Sequence, residues 1–535
     1  MDPQPALPFS APQSNLASAD SSAYTPRCPE DTVLYGVVAD NLETFLAEAE
    51  RDDRVVPRFV ERELRTYLEC GILARGFLRV HCDACGRDRF VAFSCKGRGF
   101  CPSCGGRRMA DTAAHLVDRV LPRVPVRQWV LTLPFALRFR LAYDARLTSE
   151  ILRLFIRVIF ASLRRRARRR FGLSAPRCGS VTFVQRFGDA LNLNLHFHTL
   201  VLDGVYVRDA AHEIHFRPLP PPDDDEVARI AVTIARRLAC LLERRGLGRD
   251  DSIVEVDPFC QDQPLLASLY GASVRQRVAT GPRRGQRVER LGDRIDVEDV
   301  AVSPGSRCAS VAGVNLHANV CVPANDRRRL ERLCRYVARP PIATERLEQL
   351  SDGRLLYRLK HRWRDGTTHM VFTPMELMEK LAALVPAPRV NLVRYHGVLA
   401  PRSAWRDAVV PAVREPVAGA PAECCASGQA MPCVDETPSA DDRSPSHTSP
   451  SRLSPSRYYS WPELMRRVFS VDVLQCPDCH EPMRILAAIH PPEATRAILE
   501  HLGLPSRGPP IAAARAEEDS SPNEPNPEYA GALES

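Results

Sequence analysis

Cys82-Asp83-Ala84-Cys85 and Cys101-Pro102-Ser103-Cys104 stand fifteen residues apart, and these two Cys-x-x-Cys steps constrain the chain more than any other feature. Each step puts two thiols on one tight turn, and two such turns close a sulfur tetrahedron around Zn²⁺ with no position left for a substrate. The stretch 82–104 is therefore predicted to fold around a structural ion held by Cys82, Cys85, Cys101 and Cys104, with Cys95 and His81 near enough to replace one ligand. Arg107 and Arg108 follow the second step and give the module a basic flank suited to a phosphate backbone. A third step, Cys476-Pro477-Asp478-Cys479, has no second pair beside it; His480, His490, Cys424, Cys425 or Cys433 could complete it.

A chain of 535 residues is long enough to build its own cores, so its 18 cysteines are not the framework of a small stapled fold. Pro- and Ser-rich composition predicts disorder in 1–30, 413–456 and 501–535, with a small Cys-x-x-Cys segment at 457–500 between the last two. The remainder divides into a helical and zinc-binding module (31–120), a central domain (121–345) and an Arg-rich extension (346–412). Apolar residues at helical spacing predict helices over 60–73, 147–170, 226–246 and 324–337. Strand-like runs over 126–135, 180–187, 193–207 and 310–322 complete an α+β domain, an antiparallel sheet with flanking helices.

The start MDPQPALPFSAPQSN lacks the basic and apolar regions of a secretory signal, and Ile151–Leu163 is too short to span a bilayer and is broken by Arg153 and Arg157. A cytoplasmic chain with no membrane partner is predicted. The formal charge of +8 permits a polyanionic partner without singling one out. Seventy arginines against three lysines suit phosphate recognition, but codon bias in a GC-rich genome is the preferred account of the excess.

The most informative segment is Leu195-His196-Phe197-His198-Thr199. Residues two apart on a strand share a face, so His196 and His198 can offer imidazoles side by side to one cation and leave its remaining positions open. Downstream, Tyr336 sits among Leu330, Leu333 and Val337 on a helix stopped by Pro340 and Pro341. Arg335 and Arg339 beside it suit a phosphate, and a tyrosine attacking phosphorus leaves a covalent phosphotyrosine.

Taken in order, FSCKGRGFCPSCGGRRM, LHFHTLVLDGVY, LHANVCVPANDRRRLERLCRYVARPPIA, PRVNLVRYHGVLAP and LQCPDCHEPMRILAAI resemble the rolling-circle transposases of the insertion sequence 91 family, over roughly 55–495. That family belongs to the HUH endonucleases, whose two histidines flank a hydrophobic residue, here Phe197. The resemblance implies an HUH-type catalytic domain over 121–345, preceded by a four-cysteine module holding structural Zn²⁺. It further implies Mg²⁺ or Mn²⁺ on His196 and His198, and Tyr336 as the nucleophile that cuts one strand, keeps its 5′ phosphate and frees a 3′ hydroxyl. The implied partners are single-stranded DNA at element ends and target DNA in a bacterial cytoplasm. Some members carry two tyrosines four residues apart; here the earlier position is Arg332, which places the chain with the single-tyrosine, common-region elements. His317 is the first candidate for a third ligand, then Asn194 and Asp203, and Tyr395 is the rival nucleophile. Two other functions fit the same residues: a replication initiator or relaxase-like nickase, and a zinc-dependent DNA-binding protein in which the histidines and Tyr336 merely pack.

Overall fold

Every residue of the strand Gly179–Phe187 is buried, as a strand must be when helices cover both of its faces. The computed structural model describes residues 27–247, 257–292, 306–411 and 459–515. Gly179–Phe187 lies within an antiparallel sheet whose strands run, from one edge, Val393–Gly397, Gly179–Phe187, Leu193–Leu202, Val126–Thr132, Val314–His317 and Cys308–Val311. Cys321–Val322 adds a short seventh strand beside Val126–Thr132.

Alternation along Leu193–Leu202 sorts the two faces. Leu195, Phe197 and Val201 pack under the helices Ala145–Phe171 and Asp224–Arg244, together with Ile151, Phe155, Ile230 and Ile234. Leu200 and Leu202 point the other way, into a core shared with Leu116 of the helix Pro102–Arg119 and with Leu330 and Leu333 of the helix Arg327–Val337. The fold is thus α+β, with helices on both sides of an antiparallel sheet.

Two strand expectations are corrected. The run 193–207 breaks at Asp203, which is buried in an ion pair with Arg127 at 2.7 Å. Gly204–Arg208 then leaves the sheet to pair with Ile214–Pro218, and a Cβ on Gly204 would meet the Arg217 carbonyl at 2.4 Å. The run 310–322 contains a tight hairpin turn, with Ala312 and Gly313 at φ 49° and 77° between the paired Val311 and Val314.

A second core lies outside the sheet. The helices Val33–Arg51 and Arg58–Leu68 share it with Pro264–Arg275, Pro374–Leu384 and the strands Leu347–Gln349, Leu355–Arg358 and Thr367–Phe372. The segment 346–412, expected as one extension, is therefore divided: its first part packs with the N-terminal helices, while Val393–Gly397 returns as an edge strand of the main sheet.

Phe77–His81 pairs on one side with Asp88–Ala92 and on the other with Arg484–Ile489, almost the whole chain away. Residues 506–515, placed from composition in a disordered tail, run along the first helix, where Ala512 N donates to the Ala39 carbonyl and Arg515 N to Thr44 Oγ1. Among the described residues, no helix is long and apolar enough to cross a membrane.

Candidate functional site

His196 and His198 leave the central strand on the face that carries Leu200 and Leu202, toward the Arg327–Val337 helix. Their Nε2 atoms stand 3.1 Å apart. His196 Nδ1 lies 2.7 Å from the Asn194 carbonyl, which can only accept, so Nδ1 carries the proton and Nε2 keeps its lone pair. His198 Nδ1 lies 2.8 Å from the Gln128 amide. When the amide nitrogen donates there, His198 carries its proton on Nε2 and donates that N–H to His196 Nε2. When the amide is turned to present oxygen, the proton moves to Nδ1 and both Nε2 atoms are free for a cation.

Burial pulls His196 down to about 4 against the Asn194 hydrogen bond, with repulsion from Arg339 and Arg138 added. Burial also holds His198 well below the usual imidazole range, helped by His196 and Arg339. Both rings are therefore neutral at pH 7, the state that ligates a cation. Asn194 lies two residues before His196 on the same side of its strand, and Gln185 sits opposite His196 on the neighbouring strand. Asn194 Oδ1 and Gln185 Oε1 have no hydrogen-bond partner among the described residues. Two imidazole lone pairs beside two unpartnered acceptor oxygens are a donor set that fits a divalent cation.

The helix that carries Tyr336 begins at Asp326, whose side chain accepts from Arg329 N, and its stripe Leu330, Leu333, Val337 seats it on the sheet. Gln185 Nε2 donates to the Val337 carbonyl at 2.9 Å and ties the end of the helix to the strand beside the histidines. The Tyr336 ring meets His198 edge-on, with centroids 6.0 Å apart and planes at 88°. Arg339 and Lys360 stand 4.8 and 4.6 Å from the Tyr336 ring centroid. Beyond Arg339 opens a cavity of about 320 Å³, lined in part by Phe187, Asp189, Pro340 and Arg346.

Other expected residues lie elsewhere. His317 shares the sheet face but is two strands from His198, with Val130 between them. Among the described residues, no third His, Cys, Asp or Glu joins His196 and His198 in a group of mutually close ligand atoms. Asp203 is engaged by Arg127. Arg335 turns back along its helix to Glu331. Tyr395 stands at the register of Val181 and Leu200, beyond the neighbouring strand. Lys360 escaped the sequence reading because a lone lysine in an irregular stretch carries no pattern.

The expectation of one zinc site built from four cysteines is also corrected: the two Cys-x-x-Cys steps do not meet. Cys101 and Cys104 join Cys70 and Cys95, while Cys82 and Cys85 join Cys476 and Cys479. In the first cluster the sulfurs are 3.7 Å (Cys70 and Cys104), 3.4 Å (Cys95 and Cys104) and 3.6 Å (Cys70 and Cys101) apart. In the second, Cys82 is 3.4 Å from Cys479 and Cys85 is 3.5 Å from Cys476. These spacings are far beyond a disulfide and close to the ~3.8 Å edge of a tetrahedron with Zn–S bonds of about 2.3 Å.

Cys101 caps the helix Pro102–Arg119 and Cys104 lies in its first turn, where the helix dipole favours a thiolate. Hydrogen bonds from Cys101, then Cys70 and Cys95, hold the Cys104 thiol far below its usual range. The backbone amide of Cys479 chiefly draws Cys476 down to about 6. Glu63 fixes the loop between the ligands by accepting from Gly99 N.

Cys70 was missed because it stands alone at the end of a helix, with no second cysteine at metal-ligand spacing. His81 is bound to Asp88, His490 stacks on Phe93, and His480 joins neither cluster. Cys424, Cys425 and Cys433 lie outside the described residues. Arg107 is exposed at the surface, and Arg108 folds back onto the Lys96 and Gly97 carbonyls. The first cluster reaches the tyrosine: a Cβ on Gly105 would meet Pro340 at 2.6 Å, so the zinc-side helix touches the residue that ends the Tyr336 segment.

Two family models match this chain. Residues 38–133 match the one described as "Transposase zinc-binding domain", of the insertion sequence 91 type, and residues 179–406 match the one described as "Putative transposase". No curated protein and no solved structure matches the chain. Both cysteine clusters draw on the first match, and the histidine pair and Tyr336 lie within the second.

Proposed function

Given that the chain belongs to the insertion sequence 91 family of transposases, a DNA-processing enzyme with structural zinc, we propose that it is an HUH endonuclease that nicks and joins single-stranded DNA through Tyr336. The observation that carries this reading is the meeting of Tyr336 with a paired His196 and His198, Nε2 to Nε2 at 3.1 Å and ring to ring at 6.0 Å. Three unrelated stretches of sequence converge there: the strand Leu193–Leu202, the helix Arg327–Val337, and Lys360.

Tyr336 Oη gives up its proton, bonds to the phosphorus of the scissile link, and the P–O3′ bond breaks. The 5′ phosphate stays on the enzyme as a tyrosine ester and the other strand end leaves as a 3′ hydroxyl. Arg339 and Lys360, beside the ring, face the charge that builds on the phosphate oxygens. His196 and His198 would hold Mg²⁺ or Mn²⁺, with Asn194 and Gln185 supplying oxygens nearby. When bound, such an ion polarises and orients the phosphate. The Asn194 carbonyl sets the His196 tautomer that this requires, and Gln128 sets that of His198 when its amide is turned to present oxygen to Nδ1. Reversal of the step by a target 3′ hydroxyl joins strands without an external energy source. Element ends and target DNA, met in the bacterial cytoplasm at the nucleoid, are the partners, with exposed Arg107 available for salt-dependent contact.

The test is a denaturation-resistant adduct with labelled single-stranded DNA carrying the flanking element end, in Mg²⁺ or Mn²⁺. Adduct is expected from the natural chain and from Tyr395→Phe, and none from Tyr336→Phe. His196→Ala with His198→Ala should abolish cleavage and leave DNA binding largely intact. Adduct that survives Tyr336→Phe and is lost in Tyr395→Phe would move the nucleophile to Tyr395.

A further inference from the structure

The zinc-binding match ends at residue 133, yet the cluster of Cys82 and Cys85 is completed only by Cys476 and Cys479, outside both family matches. Cys85 and Cys476 are 391 residues apart in sequence and their sulfurs are 3.5 Å apart in space. All four ligands are thiols and, among the described residues, no fifth group joins them, so the site is closed and structural.

The local fold has little else to hold it. The buried apolar residues at the junction are Val80, Cys82, Cys476 and Met483, two of them ligands. Arg484–Ile489 extends the module's sheet with nearly all of its side chains in solvent, Ile485 at 51 % exposure among them. Around this lie surface polar contacts: Arg87 with Asp478, Arg484 with Asp83 at 2.6 Å, and Arg89 with the Val473 carbonyl at 3.0 Å. Exposed ion pairs contribute little, and although Leu464, Val473 and Leu499 are buried elsewhere along the segment, the four buried residues of the junction itself are too few to hold it, the situation in which a bound metal supplies the folding energy.

What the junction holds is not idle. The helix Trp461–Phe469 lies on the helix Pro102–Arg119, with Leu464 against Ala110 and Ala114. From it Arg467 reaches Asp118 and Glu331, and Glu331 lies on the helix that carries Tyr336.

We propose that Cys82, Cys85, Cys476 and Cys479 form a second structural zinc site, a clasp that ties residues 459–515 to the zinc-binding module and, through Arg467, braces the Tyr336 helix. The metal site rests on the cysteine geometry alone; the value of the brace for cleavage rests on the role given to Tyr336. Metal content and hydrogen exchange are therefore read without reference to DNA.

Elemental analysis of the full chain should give two zinc ions per chain, falling to one in Cys476→Ser with Cys479→Ser. Exposed Cys85 supplies a milder pair, with Cys85→Ala dropping to one ion and Cys85→His, which restores a zinc ligand, keeping two. Hydrogen exchange should rise in 459–515 and in Phe77–His81 of Cys85→Ala, with Leu193–Leu202 still protected. One ion in the natural chain, two retained in Cys85→Ala, none left in Cys85→Ala, or unchanged exchange over 459–515 in that variant would each overturn the clasp.

Discussion

The two cysteine clusters use the same chemistry in opposite settings. Cys70, Cys95, Cys101 and Cys104 come from 35 consecutive residues and sit against the second core, beside Tyr67 and Phe100. Cys82, Cys85, Cys476 and Cys479 come from distant parts of the described chain and form a small cluster of their own, with Cys82 and Cys476 buried, Cys479 partly so and Cys85 exposed. The first belongs to the core that the N-terminal helices share with Pro374–Leu384, and its helix leads to Pro340 at the end of the tyrosine segment. The second gathers only Val80 and Met483 as buried apolar partners and reaches the tyrosine helix indirectly, through Arg467. A metal site's importance to a fold is thus set by how much apolar structure converges on it, and its ligand count says nothing of this.

The largest effect tests that contrast directly. Cys104→Ser removes a buried ligand at a helix start and leaves three thiols competing for charge. Structural zinc in small domains is worth about 10–16 kcal/mol of apparent binding energy, on the order of the whole stability of a domain. Cys104→Ser should therefore lose cooperative unfolding of the N-terminal region and express poorly, whereas Cys476→Ser with Cys479→Ser should retain the main thermal transition by circular dichroism. Equal damage from the two would erase the distinction between core site and clasp.

Exposure separates the clusters kinetically. A zinc chelator reaches the clasp through exposed Cys85 and half-buried Cys479, while the inner cluster has no exposed ligand, Cys95 being half-buried and Cys70, Cys101 and Cys104 buried. Zinc release followed with a colorimetric chelator should be biphasic, one ion per chain leaving at least about ten times faster than the other if the inner site must first open locally. The fast phase should be missing in Cys85→Ala. A single phase for both ions would mean that the two sites open together.

The sequence showed ligands better than it showed partners. Each Cys-x-x-Cys step is a local turn, and its spacing identifies it, but which two steps share an ion depends on strand pairing across 391 residues. The fifteen-residue gap matched a familiar four-cysteine spacing and hid the real division, because Cys70 and Cys95 have no step of their own. His196 and His198 were legible because a two-residue period is a property of any strand. His317 lies on the correct face but in the wrong column, since alternation reports a face and is silent about strand order. The breaks at Asp203 and at Ala312-Gly313 were missed for a related reason: a buried ion pair and a two-residue turn interrupt an apolar pattern without changing its composition.

Acid probes a third environment against the two clusters. Folded His196 titrates at about 4 against 6.5 for a free imidazole, and burial lowers His198 as well. As pH falls below about 6.5 the unfolded chain takes up these protons first, so this contribution to stability is complete above that value and is lost on the way down toward 4. Protons also compete with zinc for thiolates. Replacing both histidines with Gln should flatten the part of the stability loss between pH 6.5 and 4 that persists in the presence of excess zinc, measured as urea midpoints. An unchanged slope would place the acid sensitivity in the cysteine clusters alone.

The smallest effect asks whether the outer cluster speaks to the site at all. Arg467 bridges Asp118 and Glu331 with 26 % of its side chain exposed, so the network is partly shielded and worth more than an open surface pair. Arg467→Met keeps much of the stem's packing and removes the fork. Neither acid is stranded, because Glu331 retains Arg335 and Asp118 retains the Tyr459 hydroxyl. The cost should therefore be about 1 kcal/mol in the urea midpoint at constant m, with Arg466→Met, which removes an exposed pair to Asp472, costing less. The informative comparison is the double variant. If the clasp is what presents Arg467 to the tyrosine helix, then in Cys85→Ala the residue has already withdrawn, and Arg467→Met adds nothing further to stability or to the rate of adduct formation. Coupling of about the full single-variant cost is the expected result. Additive losses would mean that Trp461–Phe469 holds its place on Leu464 alone, and that the outer zinc fastens the end of the chain without bracing Tyr336.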